Sequence, residues 1–251
     1  MPTHHNNLIK DNVLIAIPVY NESRYVNDIL TTVSQYSDNI LVVNDGSDDG
    51  TDKLLEKHKQ IKVLVHKTNL GYGRSLIDAF GYAKSNGYNW IITMDCDHQH
   101  QPQCIPQFVA RIEKSKFDII SGSRYLLYTN TENVPAERLR INRQITALLN
   151  SALEINITDG FCGFKAYKVS SLDKLKLTEK GYGLPLQLWV QAAFSNLKIT
   201  EIPVPLIYHD SKRNFGGLLE VPKYRMQYYM NIIKRELAKY GYKDVKRFLS
   251  S

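Results

Sequence analysis

The sequence predicts one α/β domain, with a mostly parallel central sheet and helices on both faces. Two observations lead there. Short β-branched runs alternate with amphipathic segments through the first half of the chain, the pattern of strands joined by crossover helices. The length of 251 residues suits one large α/β domain, and 43% hydrophobic with 23% charged residues is ordinary for a globular protein. No internal repeat, low-complexity segment or linker divides the chain.

Val13-Leu14-Ile15-Ala16-Ile17 reads as a buried first strand that stops at Pro18, followed by a helix from about Ser23 to Tyr36. Ile40 to Val43 is a second strand, and the turn-rich NDGSDDGT supplies Asp and Thr to cap a helix near Asp52–His58. Lys62 to Val65 is a third strand. A helix from Arg74 to Ser85 follows, stopped by Asn86-Gly87, and Trp90 to Met94 is a fourth strand. The second half is less regular. It offers a strand over Asp118–Gly122, a polar stretch over Tyr125–Pro135 and a helix from Glu137 to Leu153. A strand within Gly160–Tyr167 and a helix over Pro185–Ser195 come next. Ile199 to Tyr208 is extended, and Pro203 and Pro205 place it at a sheet edge. A basic helix from Val221 to Tyr240 closes the pattern.

The first four strands end in PVYNE, NDGSDDG, HKTNLGYG and DCDHQH. In open α/β sheets ligands bind outside the carboxyl ends of the strands, so four polar ends on one rim point to a binding site. Each motif has a plainer reading. Asp45, Asp48 and Asp49 suit turns and caps, and Asp48 is expected to be a turn residue. His98 and His100, two apart on a loop, read as polar loop residues rather than a metal pair. Cys96 should point away from Asp95 and Asp97, because neighbouring side chains on an extended segment alternate.

Several classes are disfavoured. No apolar stretch approaches the roughly 20 residues of a membrane-spanning helix. The opening MPTHHNNLIKDN lacks the features of a signal peptide, which favours a cytoplasmic location. Cys96, Cys104 and Cys162 are odd in number and widely spaced, the usage of a reducing compartment. The net charge is +7, and residues 208–251 carry ten Lys/Arg against four Asp/Glu, a local +6. That asymmetry suggests an anionic partner, but no nucleic-acid-binding module accompanies it.

PVYNE (18–22), NDGSDDGT (44–51), NLGYGRS (69–75) and the Asp95-x-Asp97 pair resemble the nucleotide-sugar half of family 2 GT-A glycosyltransferases, whose fold is Rossmann-like. SGSRY (121–125), DGFCGFKAY (159–167) and Ser211-Lys212-x-x-x-Gly216-Gly217 resemble the dolichol- and polyprenol-phosphate sugar transferases within it. The resemblance spans roughly residues 12–217 of a single domain over 1–251. It implies a nucleotide-sugar half at 12–118, an acceptor half at 119–217 and a basic helical tail at 218–251.

By this resemblance, Pro18, Val19 and Tyr20 shape a base pocket, Asp45 reads the base and Glu22 the ribose. Gly71 and Gly73 let backbone approach the donor, and Arg74 lies near its phosphates. Asp95, Asp97 and Gln99 hold Mg²⁺ or Mn²⁺, whose charge helps the diphosphate leave. Arg124 and Arg138 grip an acceptor phosphate, while Lys212 and Arg213 close over the site. Asp97, Arg124 and Arg213 are the catalytic residues implied. Arg140 and Arg143 share a helix face with the default role of a solvated surface.

The implied activity is inverting transfer of a hexose from a GDP- or UDP-sugar to polyprenyl or dolichyl phosphate. Gln187 stands where many relatives place an acidic residue, which favours a phosphate acceptor needing no general base; Asp159 remains as another base candidate. Two alternatives stay open: transfer to a saccharide hydroxyl in envelope polysaccharide assembly, and a non-catalytic nucleotide-sugar-binding module. Tyr224, Tyr228, Ile232 and Tyr240 trace an apolar stripe among basic residues. It suits either a membrane-interface helix or packing on the domain. A lipid acceptor would be met peripherally at the cytoplasmic membrane face or through a membrane partner subunit.

Overall fold

The computed structural model describes residues 12–114, 116–127, 134–207 and 217–242. One sheet contains β1 (Val13–Val19), β2 (Ile40–Asn44), β3 (Lys62–Val65), β4 (Trp90–Thr93), β5 (Ile119–Ser123), β6 (Lys165–Lys168) and β7 (Ile199–Pro203). Their order is β3-β2-β1-β4-β6-β5-β7. Every pairing is parallel except the two made by β6, which runs antiparallel to β4 and β5. The helices are α1 (Val26–Val33), α2 (Thr51–Leu55), α3 (Tyr72–Ser85), α4 (Ile105–Glu113), α5 (Ala136–Leu153), α6 (Val169–Leu172), α7 (Leu184–Phe194) and α8 (Pro222–Ala238).

Alternation along the strands makes two cores. Leu14, Ala16, Leu41, Val43 and Ile91 face α3, α5, α7 and α8. Val13, Ile15, Ile17, Ile40, Val42 and Ile92 face α1 and α4. Both faces are thus covered, which is why the strand runs are apolar almost throughout. The edge position expected for the Pro203 segment is observed, since β7 ends the sheet.

Two expectations are corrected. β1 does not stop at Pro18; it continues to Val19. Asp45 donates its N–H to Val19 O and Met94 to Ala16 O, so even-numbered residues of β1 face β4. Pro18 therefore faces a side where the β4 ladder has already ended at Thr93, and its missing N–H costs no bond. Helix α2 starts from Gly50 at φ 89° with no side-chain cap, although Asp49 accepts the N–H of Thr51. Helix α4 falls in a segment for which the sequence reading gave no element. Pro106 sits in the first turn, and Ile105, Phe108, Val109 and Ile112 bury one helical stripe.

The reversal of β6 matters most for the site. Lys165 pairs with Thr93, so the start of β6 lies beside the end of β4. Thr93 Oγ1 donates to Gly163 O at 2.8 Å. The segment DGFCGF is thereby delivered to the rim where the parallel strands end.

The closing helix packs one face on the domain. Tyr229, Ile232, Ile233 and Leu237 are buried in the core with α5 and α7. Of its cations, Arg225 is buried and donates to Leu219 O, Arg235 pairs with Glu179, and Lys239 pairs with Glu236. Much of its charge is spent inside the domain. Among the described residues no helix is long and apolar enough to cross a membrane.

Candidate active site

The first two rim loops are sewn together by short polar side chains. Asn21, at φ 56°, exchanges two bonds with Asp48: Asn21 Nδ2 donates to Asp48 Oδ1 at 2.8 Å, and Asp48 N donates to Asn21 Oδ1 at 2.9 Å. Asp49 accepts from Ser23 N, Thr51 N and Thr51 Oγ1. Burial acts to raise its pKa, but the bonds from Thr51 and Ser23 outweigh this and hold it at about 2. Asp48 is the turn residue expected, and Asp49 joins it in stitching the loops. Glu22 is buried, with its N–H on Thr51 Oγ1, while Tyr20 stands 46% exposed at the rim.

Asp45 is buried at the end of β2. Its carboxylate accepts the N–H groups of Leu70 and Gly71, both at 2.8 Å, and lies 2.6 Å from His66 Nδ1. It therefore fixes the third rim loop whatever else it contacts. The glycines of that loop serve the protein itself. At Gly71, φ 103°, a Cβ would meet Lys180 O at 2.4 Å, so the 179–181 backbone packs directly on this turn. Arg74, in the first turn of α3, donates its N–H to Lys180 O and its Nε to Asp78 Oδ2.

At the end of β4, Asp95 Oδ1 accepts the hydroxyl of Tyr72 at 2.9 Å, and Asp97 Oδ1 accepts the N–H of Gln99 at 3.1 Å. Burial first, and the adjacent Asp95 charge second, push the Tyr72 pKa well up, so it remains a donor. Cys96 is buried in the core facing α1 and α4, as expected from alternation. His100 lies in this loop, as expected, and is buried there. Its Nδ1 accepts the N–H of Asp95 at 2.9 Å, and burial lowers its pKa against the pull of Asp95. His98, at φ 58°, turns away to Asp28 at 3.2 Å.

Those orientations leave carboxylate oxygen as the donor chemistry at the end of β4. Among the described residues, no group of three or more His, Cys, Asp or Glu is arranged to hold a metal. A pair of aspartates suits a hard cation such as Mg²⁺ or Mn²⁺, which takes one or two carboxylates and completes its shell with phosphate oxygens and water.

The acceptor half meets this end through β6. Arg124 follows β5 and binds Asp159 with two bonds, Nε to Oδ2 at 2.6 Å and Nη2 to Oδ1 at 2.9 Å. Asp159 is fully buried and also accepts from Arg124 N, Asn142 Nδ2, Phe161 N and Cys162 N. Burial opposes its ionisation, but the Arg124 charge and these bonds keep its carboxyl below the usual carboxylate range. A carboxylate so committed is not a general base, which corrects that expectation. Gln187 is corrected too. It is buried in the core, accepting from Thr178 N and Glu179 N and donating to Glu236, so it bears on no acceptor.

Arg138 is half-buried on α5, and its charge, with that of Arg225, acts on Tyr229 of α8. Arg140 pairs with Glu137 on the solvated face, and Arg143 is exposed there as expected. Lys212 and Arg213 lie outside the described residues.

Sequence reading missed Tyr72 and Tyr182, whose rings stack at 5.7 Å and 20°. Both occupy the centre of a Gly-Tyr-Gly triplet, at 71–73 and 181–183, and that repetition was the available signal. It also missed Lys165, fully buried, with Nζ donating to Cys162 O and lying 5.3 Å from the Trp189 ring centroid. Lys165 reads as a strand residue until its antiparallel partner is known.

A doubly covered sheet whose rim carries paired carboxylates and a braced arginine has the architecture of an α/β enzyme with its site at the carboxyl ends of the strands. The chain belongs to glycosyl transferase family 2, whose family model matches residues 14–176. It is a glycosyltransferase, which sets aside the binding-module alternative. The undecaprenyl-phosphate mannosyltransferase of Micrococcus luteus is 28% identical over 221 residues, covering 82% of this chain and 89% of that protein. The polyprenol monophosphomannose synthase of Mycolicibacterium smegmatis is 27% identical over 201 residues, 76% of each chain. The GT-A fold is shared with glucosyl-3-phosphoglycerate synthase of Mycobacterium tuberculosis. Its complex with Mn²⁺, UDP-glucose and phosphoglyceric acid matches with a TM-score of 0.73 at 15% identity, covering 95% of this chain and 85% of that one.

Proposed function

We propose that the protein transfers a hexose, with inversion, from a GDP- or UDP-sugar to a polyprenyl or dolichyl phosphate. The observation that carries the acceptor class is the state of Asp159. The acid beside Arg124 is ionised, buried and bound by six N–H groups, so it holds an arginine and takes no proton. A sugar hydroxyl needs a base, whereas a lipid phosphate is already an anion and needs only charge and position. Two relatives named for lipid-phosphate acceptors support the same reading.

In this reading the donor lies along the rim, with its base between Tyr20 and Asp45 beside Pro18, and its ribose at Glu22. Its diphosphate lies near the Arg74 guanidinium. Asp95 and Asp97, with Gln99, hold Mg²⁺ or Mn²⁺. When bound, the cation supplies Lewis-acid stabilisation to the departing diphosphate. Tyr72 and His100 keep Asp95 in place from its side-chain and backbone sides. Arg124 and Arg138 hold the acceptor phosphate, and Lys212 and Arg213 close over donor and acceptor. The acceptor oxygen attacks the anomeric carbon as the bond to the diphosphate breaks, and no proton is transferred in that step. The lipid acceptor places the enzyme at the cytoplasmic face of a membrane, reached peripherally or through a membrane partner subunit.

Radiolabelled donor offered polyprenyl phosphate decides the acceptor: label in the lipid fraction supports the reading, and label only in water-soluble glycan replaces it with transfer to a saccharide. Asp97→Ala should abolish release of nucleoside diphosphate, and omission of divalent cation should do the same.

A further inference from the structure

His66 follows β3 and stands at the head of a rim motif, yet none of the roles above uses it. Its side chain is 6% exposed and belongs to neither apolar core. Its two ring nitrogens meet carboxylates from two different elements. Nδ1 is 2.6 Å from Asp45 Oδ1 at the end of β2, and Nε2 is 3.0 Å from Asp78 Oδ2 on α3. The same Asp78 oxygen accepts Arg74 Nε at 2.7 Å, and Asp45 also accepts the N–H groups of Leu70 and Gly71. One imidazole thus joins an unbroken polar chain from Asp45 to Arg74.

We propose that His66 is a positioning residue coupling the base end of the donor site to its phosphate end. The proposal rests on the nucleotide-sugar reading above. A planar ring with polar atoms on opposite edges sets the spacing between Asp45 and Asp78 and separates two like charges. Asp78 in turn fixes the direction of Arg74, whose side chain is 42% exposed and needs an anchor to stay aimed. Loss of the ring releases both ends together, so the base contact and the phosphate contact weaken as one unit rather than independently.

The test is a double-mutant cycle on nucleotide binding, with UDP, GDP, CDP and dTDP each titrated calorimetrically in Mn²⁺. The nucleotide that binds the unaltered protein should bind His66→Gln about five- to thirty-fold more weakly. The double variant His66→Gln, Arg74→Ala should lose clearly less affinity than the product of the two single losses, because the Arg74 contact is already released in His66→Gln. The KM for the acceptor should not change in His66→Gln, which a general loosening of the fold would not spare. Losses that multiply across the cycle, or unaltered binding by His66→Gln, overturn the proposal. If His66→Gln does not fold, Asp78→Asn reads the same link from the helix side, and an additive effect with Arg74→Ala is equally fatal. Failure of the unaltered protein to bind any of the four nucleotides removes the donor reading itself; binding that the variants leave intact removes only the role of His66.

Discussion

Tyr72 donates its hydroxyl to Asp95 Oδ1 at 2.9 Å, so the first residue of α3 aims a carboxylate at the end of β4. The bond ties the third rim loop to the fourth. Behind it, Tyr72 stacks on Tyr182, and Tyr228 of α8 donates to Glu179 and accepts the N–H of Gly183 in the loop carrying Tyr182. The closing helix therefore braces the Tyr72–Asp95 pair through the loop that carries Tyr182.

Tyr72→Phe keeps the ring and its stacking but removes the donor. Outer-shell partners of metal ligands are worth about 10–100-fold in affinity or activity. The expected outcome is a higher Mn²⁺ or Mg²⁺ requirement for turnover with little change in melting temperature. An unchanged metal titration would show that the bond has no bearing on the cation.

Gly163→Ala tests the fit from the other side. A Cβ there would lie 2.7 Å from Tyr72 Oη and 2.9 Å from Asp95 Oδ2, so the carboxylate must move. Displacement by about 1 Å costs on the order of 100-fold in rate. Steady-state assays should show kcat falling by that order while circular dichroism stays native. Full activity would mean that Asp95 tolerates displacement and contributes little.

Asp159→Ala removes the buried carboxylate that holds Arg124 with two bonds. Breaking a buried ion pair from one side costs about 3–5 kcal/mol, measurable by denaturant unfolding. In the protein that remains folded, KM for the acceptor should rise more than KM for the donor. The reverse ordering would assign Arg124 to the donor.

Gln187→Glu places an acid at a position where the resemblance ties the lack of one to an acceptor that is not a hydroxyl. Here it would face Glu236 across a 2.8 Å contact in the core. The expected result is a loss of stability of a few kcal/mol with no gain in transfer to saccharide hydroxyls. A gain in such transfer would show that this position reaches the acceptor.

Asp49 sets an acid limit on the loop stitching. Its folded pKa of about 2 lies below the ordinary 3.8, so its contribution is complete above 3.8 and is lost as pH falls toward 2. Unfolding measured across that window should show stability falling less steeply in Asp49→Asn than in the unaltered protein. Equal slopes would assign the acid loss to other carboxylates.

Much of this protein is written locally. The apolar runs of β1, β2 and β4 need only their own residues to be recognised, because both faces are covered and every position except Pro18 is buried. The motifs at their ends follow directly, and parallel strands bring those ends to one rim. Tertiary structure alone decides the rest. The antiparallel insertion of β6 carries Gly163 and Lys165 to Asp95, seventy residues upstream, and no periodicity in either segment announces that pairing. Asp159, Gln187 and His66 look like available polar groups in the sequence, but their partners come from elsewhere in the chain and consume them. The same holds for the basic helix α8, whose stripe reads equally as membrane-facing or core-facing. Its direction is settled by the apolar surfaces of α5 and α7, which bury Tyr229, Ile233 and Leu237. A side chain's chemistry is local, but its free valences are set by what the fold places beside it.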